Sequence, residues 1–221
     1  MTLARSFVDL SHEIEDGMPV FPGLPTPHIG AHLDHDQSRA NYQDAEFFLG
    51  KVDMPTNTGT YIDAPFHRFR DREDLSQIPL DGIVGLKGVL IDATDGDPRE
   101  LHPELPAGDL VKTAVLIHTG WDSYWGTDAY FGPAPYLAEA FATELVDRGV
   151  GLVGIDSWNV DDTTTRRRPI HTHLLEAGVY IVEHLCRLDE LPSREFRFFA
   201  PVIAVRGGAS FTVRAFAELP S

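Results

Sequence analysis

Four short apolar runs constrain this chain more than any other feature: Gly88-Val89-Leu90-Ile91-Asp92, Thr113-Ala114-Val115-Leu116-Ile117-His118, Gly151-Leu152-Val153-Gly154-Ile155 and Val179-Tyr180-Ile181-Val182-Glu183. Such runs are too short for buried helices and too continuous for half-exposed strands, so they read as buried strands. The first two end in polar residues, Asp92 and His118, where sites often form. From Pro135 the pattern changes: Leu137, Ala138, Phe141, Ala142, Leu145 and Val146 follow helical spacing, and Gly149 suits the residue just past a helix end. A shorter helix is expected about His171 to Ala177. Further strands are expected at Phe7 to Leu10, within Glu46 to Met54, and near Val202 and Phe211. A polar stretch separates His28 from Asp44, and Thr56 to Thr60 reads as a loop. Strands outnumber helices, so the class is mixed α/β.

Of the 221 residues, 43% are hydrophobic and 24% charged, which is the balance of a globular chain rather than a disordered one. Area scaling gives roughly 10,000 Å² for the folded monomer, so about 70% of the extended chain's surface can be buried. No linker interrupts the pattern, and one domain over residues 1–221 is expected. The formal net charge of −16 repels phosphate backbones and anionic membrane surfaces, so neither nucleic acid nor membrane is expected as a partner. No apolar run approaches the 18 or so residues that span a bilayer. The lone Cys186 cannot form a disulfide within the chain, and the acidic N-terminal stretch lacks the apolar core of a secretory signal. A cytoplasmic address is expected.

Several generic motifs fall away. Gly149-Val150-Gly151-Leu152-Val153-Gly154 satisfies G-x-G-x-x-G, but it follows a helix and opens a strand, the reverse of a dinucleotide fingerprint; the glycines serve better as a helix end and a close-packed strand. No nucleophile elbow, phosphate loop or H-E-x-x-H is present. Arg166-Arg167-Arg168 reads as a solvated face, with binding of a substrate carboxylate or a partner subunit as the minority reading.

The segment Asn57-Thr58-Gly59-Thr60-Tyr61-Ile62-Asp63-Ala64-Pro65-Phe66-His67 carries the chemistry. It is too rich in Gly and Pro for a helix, so its polar groups are expected on one rigid loop. Gly59 allows close backbone approach, and Pro65 stiffens the path between the carboxylate and the imidazole. This segment resembles the H-x-G-T-H-x-D-x-P-x-H signature of the metal-dependent cyclase and kynurenine formamidase family. Gly59-Thr60, Asp63, Pro65 and His67 match, whereas Asn57 and Tyr61 stand where the family has histidines. The resemblance extends over nearly the whole chain. It includes Asp9-Leu10-Ser11, Pro19-Val20-Phe21-Pro22-Gly23, Leu116 to Trp121, Gly154 to Ser157, Pro169 to Leu175 and Ile181-Val182-Glu183.

The resemblance implies a single-domain swivelling β/β/α fold with a mixed central sheet, forming a homodimer or higher oligomer. Met18, Val20 and Phe21 in a Pro-rich loop then read as an arm that a second subunit buries. It also implies His67 as general acid/base, an aromatic substrate contact at Phe21, and a metal set of Asp63, His171 and Glu183; Asn57 and Tyr61, which stand in place of family histidines, are expected to complete the catalytic set as hydrogen-bond donors to a substrate oxygen. Asn and Tyr are poorer zinc ligands than imidazoles, so the expected cofactor is one divalent ion (Zn²⁺, Mn²⁺ or Mg²⁺) at the surviving position, or none. His118, His173 and His184 stay outside the metal set. The expected activity is hydrolysis of a C–N bond in a small amide or cyclic amide, of the arylformamidase type. The alternatives are a metal-independent lyase, dehydratase or cyclase on a small carbonyl compound, and a non-catalytic small-molecule binder.

Overall fold

The computed structural model describes residues 6–95 and 99–220. Its thirteen strands are β1 (Ser6–Asp9), β2 (His28–Leu33), β3 (Leu49–Asp53), β4 (Tyr61–Asp63), β5 (Val84–Asp92), β6 (Glu100–Leu101), β7 (Ala114–His118), β8 (Tyr136–Leu137), β9 (Leu152–Ile155), β10 (Tyr180–Glu183), β11 (Phe196–Phe199), β12 (Ser210–Thr212) and β13 (Phe216–Leu219). Its three α-helices are α1 (His35–Asn41), α2 (Glu139–Asp147) and α3 (Pro169–Glu176). Nine of the strands form one mixed sheet in the order β1-β13-β11-β5-β7-β9-β10-β4-β12.

The four apolar runs of the sequence become β5, β7, β9 and β10, the parallel centre of that sheet. Parallel strands are covered on both faces, and their side chains alternate between two cores. Ala114 and Leu116 of β7 enter one core with Leu86, Ile62, Val182 and Phe198. Val115 and Ile117 enter the other with Val153, Ile155 and Ile181, beneath Phe141, Ala142 and Leu145 of α2 and Ile170, Leu174 and Leu175 of α3. The α2 apolar stripe therefore does what its spacing predicts, and Gly149 follows the helix in the left-handed region at φ +71°. Gly151 opens the turn into β9 and Gly154 lies within β9, so the glycine motif is a helix end followed by a strand.

Three local expectations need correction. The late strand is not near Val202 but at Phe196–Phe199, because Pro201 cannot donate to a ladder and ends the pairing. The polar stretch from His28 to Asp44 holds β2 and α1. The ribbon that β2 forms with β3 has no buried face to impose an apolar alternation. The third correction bears on the site. Tyr61, Ile62 and Asp63 are not on a loop; they form the fully buried strand β4 between β10 and β12.

Glycine placement inside the sheet gives a test of this packing. Gly88 of β5 pairs with Phe196 of β11, and a Cβ built on Gly88 would lie 2.0 Å from Phe196 Cε2. The ring occupies the volume that any side chain would need. Gly88→Ala should destabilise the fold by about 1–3 kcal/mol. The expected readout is a lower urea midpoint with an unchanged denaturant slope.

Candidate active site

Strand register brings the chemistry together. In the antiparallel pairing of β4 with β10, Tyr61 lies opposite Glu183, and residues directly opposite share a face. The Tyr61 hydroxyl accordingly donates a hydrogen bond to Glu183 Oε2. Glu183 Oε1 accepts from the Val160 N–H at 2.7 Å. Asp63, two residues along β4, is on the same face and fully buried, yet neither of its carboxylate oxygens has a hydrogen-bond partner. Two imidazoles flank it: His67 Nδ1 lies 3.4 Å from Oδ1 and His171 Nε2 lies 3.5 Å from Oδ2. His67 reaches this place through the short 3-10 turn Pro65–His67, which Pro65 opens.

His171 is held from the other side. Its Nδ1 lies 2.6 Å from Asp161 Oδ2, and Asp161 also accepts the N–H groups of Ile170 (2.8 Å) and His171 (3.2 Å). These are free donors of the first turn of α3, so one buried carboxylate caps the helix and orients the ring. An ionised carboxylate can only accept; the proton therefore sits on Nδ1, and Nε2 faces Asp63 and, at 3.6 Å, Glu183. Nothing local marked Asp161 in the sequence, because it precedes His171 by ten positions and acts through the fold.

The titration behaviour follows from burial. Desolvation pulls the His171 imidazole down, but the Glu183 charge and the contacts with Asp161 and Asp63 outweigh it and hold the group at about 10. Burial, with Asp63 adding to it, pushes Glu183 up to about 7 despite His171, Tyr61 and Val160. Burial and the Glu183 and Asp63 charges also raise Tyr61 far above the ordinary phenol range. Tyr61 is therefore a neutral donor whose proton is turned toward Glu183.

A cavity of about 280 Å³ opens over this cluster, lined by Phe21, Leu24, Asn57, Tyr61, His67, Asn159 and His171 and flanked by Arg68 and Arg168. Phe21, Asn57, Tyr61, His67 and His171 thus share one cavity, while Asp63 forms part of the floor cluster and Glu183 lies behind Tyr61. Phe21 leans on Trp158 at 5.4 Å between ring centroids, part of an aromatic cluster with Tyr130, Trp125 and Phe131. A larger cavity, about 450 Å³, opens beside His12, Trp125 and Tyr130 but contains none of the Asp63 cluster.

Among the described residues, two groups bring three ligand atoms within 4.8 Å of one another: Asp63, His67 and His171, and separately His118, Asp122 and Asp156. The orphaned Asp63 oxygens decide which fits a cation, since a buried carboxylate without partners is expensive. In the second group Asp156 is already satisfied by the Thr119 N–H and hydroxyl and the Gly120 N–H. His173 is on the outer side of α3 near Thr143. His184 is buried against Tyr130.

Residues 8–162 match a family described as "Putative cyclase". A kynurenine formamidase of Geobacillus thermodenitrificans is 29% identical over 218 residues, covering 96% of this chain and 97% of that protein. A solved structure described as a potential metal-dependent hydrolase with cyclase activity superposes with a TM-score of 0.77 at 25% identity, covering 99% of this chain and all of that one. Isatin hydrolase A from Ralstonia solanacearum has the same fold, with a TM-score of 0.80 at 23% identity over 98% of this chain and 92% of its own.

The buried histidine behind the site yields a pH test. Burial, with a smaller push from His12, lowers His184 from 6.5 to about 3. Between those values the unfolded chain binds a proton that the folded chain refuses, so this residue costs stability as pH falls below 6.5. From pH 7 to pH 5 the wild type should lose about 2 kcal/mol more than His184→Gln does. Denaturant unfolding of both proteins at the two pH values measures the difference, and equal losses would contradict a neutral buried His184.

Proposed function

Given that the chain belongs to the cyclase family, we propose that it hydrolyses the C–N bond of a small amide or cyclic amide of the arylformamide type. The observation that carries this reading is Asp63, a buried carboxylate with two unpartnered oxygens between two imidazoles at the floor of a small cavity. The donor set suits one divalent ion. Asp63 and His171 would hold it, with Glu183 completing the set from behind, since each Glu183 oxygen accepts one hydrogen bond and keeps a second lone pair. Two carboxylates and one imidazole suit Zn²⁺, Mn²⁺ or Mg²⁺. When bound, the ion supplies Lewis-acid polarisation of the amide carbonyl.

The chain's own residues do the rest. His67 is 40% exposed at its side chain, lines the cavity, and takes a proton from the attacking water on a ring nitrogen. It then returns that proton to the departing amine nitrogen, leaving a free amine and a carboxylic acid that gives up its remaining water-derived proton to solvent on release as the carboxylate. Asn57, whose amide side chain lines the same cavity, donates a hydrogen bond to the oxygen that gains charge. Tyr61 is a positioning residue: its hydroxyl fixes the Glu183 carboxylate. Phe21 holds the aromatic body of the substrate. The Tyr61 to Glu183 contact also supports a second reading, a metal-independent lyase or cyclase in which that pair handles protons.

Formate release from formanilide by metal-loaded enzyme, abolished by exhaustive chelation and restored by one divalent ion per chain, is the expected result. A chelator-washed protein that still releases formate at the full rate would overturn the metal-assisted part of the reading. His67→Ala should lower kcat/KM by about 10² to 10⁴ while metal content stays the same; loss of metal would make His67 a ligand. Asp161→Asn should weaken metal affinity by about 10- to 100-fold, because the ring it orients loses its hydrogen-bonded partner. Direct metal titration reads that effect independently of turnover.

We extend the proposal to assembly. Met18 is covered within its own chain and Phe21 packs on Trp158, so the Pro-rich loop is not the exposed arm expected from the sequence. Six of the exposed large apolar side chains, Ile29, Tyr42, Phe47, Phe48, Leu49 and Val52, cluster on and beside the β2–β3 ribbon, while others such as Phe7, Leu80, Val111 and Ile203 are scattered. The accessible surface is 12029 Å², about a fifth above the roughly 10,000 Å² of a compact monomer of this size. A second copy covering the ribbon accounts for both, and sedimentation at micromolar concentration should give twice the chain mass. A cytoplasmic address fits the single buried, unpaired Cys186. No helix among the described residues is long and apolar enough to cross a membrane.

A further inference from the structure

The chain is acidic, with 34 Asp and Glu against 18 Lys and Arg, yet the mouth of its candidate active site is walled with arginine. Arg68 follows His67 directly, and Arg168 precedes Pro169 at the start of α3. Both line the 280 Å³ cavity. Both also line an adjoining open cleft of about 400 Å³, where Arg166 and Arg167 join them. Arginine side chains therefore line the way from the open cleft to the cavity, with Glu139 the one carboxylate among the described residues lining it.

The pairing of these arginines separates them. Arg167 is neutralised by Glu139 at 3.1 Å. Among the described residues, Arg68 is anchored only through Nε, which donates to Thr172 Oγ1 at 2.9 Å, and Arg168 only through Nη1, which donates to the carbonyls of Thr165 (3.0 Å) and Arg167 (2.7 Å). Among the described residues neither Arg68 nor Arg168 forms an ion pair, although acids outnumber bases almost two to one. Each guanidinium is held by neutral partners and keeps other N–H donors available, which is how a planar fork is prepared for an incoming carboxylate. The acidic remainder of the surface repels anions, so this mouth is where the field favours them. The same cavity is lined on its apolar part by Phe21 and Leu24.

We propose that the substrate carries a carboxylate gripped by Arg68 and Arg168, with its aromatic body against Phe21 and Leu24 and its amide beside His67. The identity of the bond broken rests on the amide-hydrolase reading above; the anion grip does not.

Formanilide and its 2-, 3- and 4-carboxy isomers form a matched set for the metal-loaded enzyme. The expected result is a kcat/KM for at least one carboxylated isomer tenfold or more above that of formanilide at low ionic strength. That preference should shrink with added salt, fall to near unity in the R68Q/R168Q double variant, and persist in part in R68K/R168K. Calorimetric binding of benzoate against benzamide gives an answer that needs no turnover. Benzoate bound more tightly than benzamide, with that advantage lost in R68Q/R168Q, supports the grip even if no formanilide is hydrolysed, in which case only the amide-hydrolase reading has failed. Carboxylated isomers no better than formanilide overturn the proposal, as does a benzoate or carboxylate preference that survives R68Q/R168Q.

Discussion

A carboxylate buried in a strand interior with neither oxygen hydrogen-bonded is among the least favourable things a fold can contain, and Asp63 is such a group. Everything near it is arranged to make that position tenable. β4 is only three residues long, so Asp63 lies near its end, where the turn at Pro65 can swing His67 back over it. His171 approaches from α3 with Nε2 foremost. The apolar cores on both faces of the sheet exclude water from the cluster while the cavity leaves one side open. A cation between Asp63 and the imidazoles would complete the arrangement.

The replacement of a histidine by Tyr61 changes the balance of this cluster without dismantling it. An imidazole at that position would add a further lone pair; a phenol adds a donor. Because register places it opposite Glu183, that donor binds the carboxylate and relieves part of the repulsion between Glu183 and Asp63. Asp161 works from the far side in a comparable way, by satisfying two backbone donors of α3 and the ring of His171 at once. The cluster is thus a layered set of acids in which each outer member fixes the direction of an inner one.

Much of this was legible before any coordinates. The unbroken apolar runs could only be strands of a covered parallel sheet, and the α2 stripe ending at Gly149 could only be a helix on it. Asn57, Tyr61, Asp63 and His67 share a segment whose Gly and Pro content marks a constrained path, and the structure brings them to His171 and Phe21. What escaped was whatever depends on register or on distant chain. The β4 strand is invisible locally because its residues, Tyr, Ile and Asp, gain strand character only from neighbours more than a hundred positions away. Asp161 was missed for the same reason, since its partners follow only once α3 folds back. Arg168 read as part of a solvated basic run, with carboxylate binding the minority reading, and nothing marked Arg68, because a sequence does not show which arginines lack a carboxylate.

The position of β4 has a consequence for the order in which the molecule can be made. It lies between β10 and β12, so residues 61–63 find neither neighbour until residues 180–183 and 210–212 have been synthesised. Closing loops of that length carries an entropic cost before any pairing repays it. On the ribosome the central strands and α2 can collapse early, but the acidic pocket stays unassembled while most of the chain is emerging. An ion held by this cluster would then be loaded onto the finished fold rather than onto nascent chain. During translation the carboxylates remain hydrated, and the energetic burden of burying them arrives only when the surrounding sheet is ready to carry it.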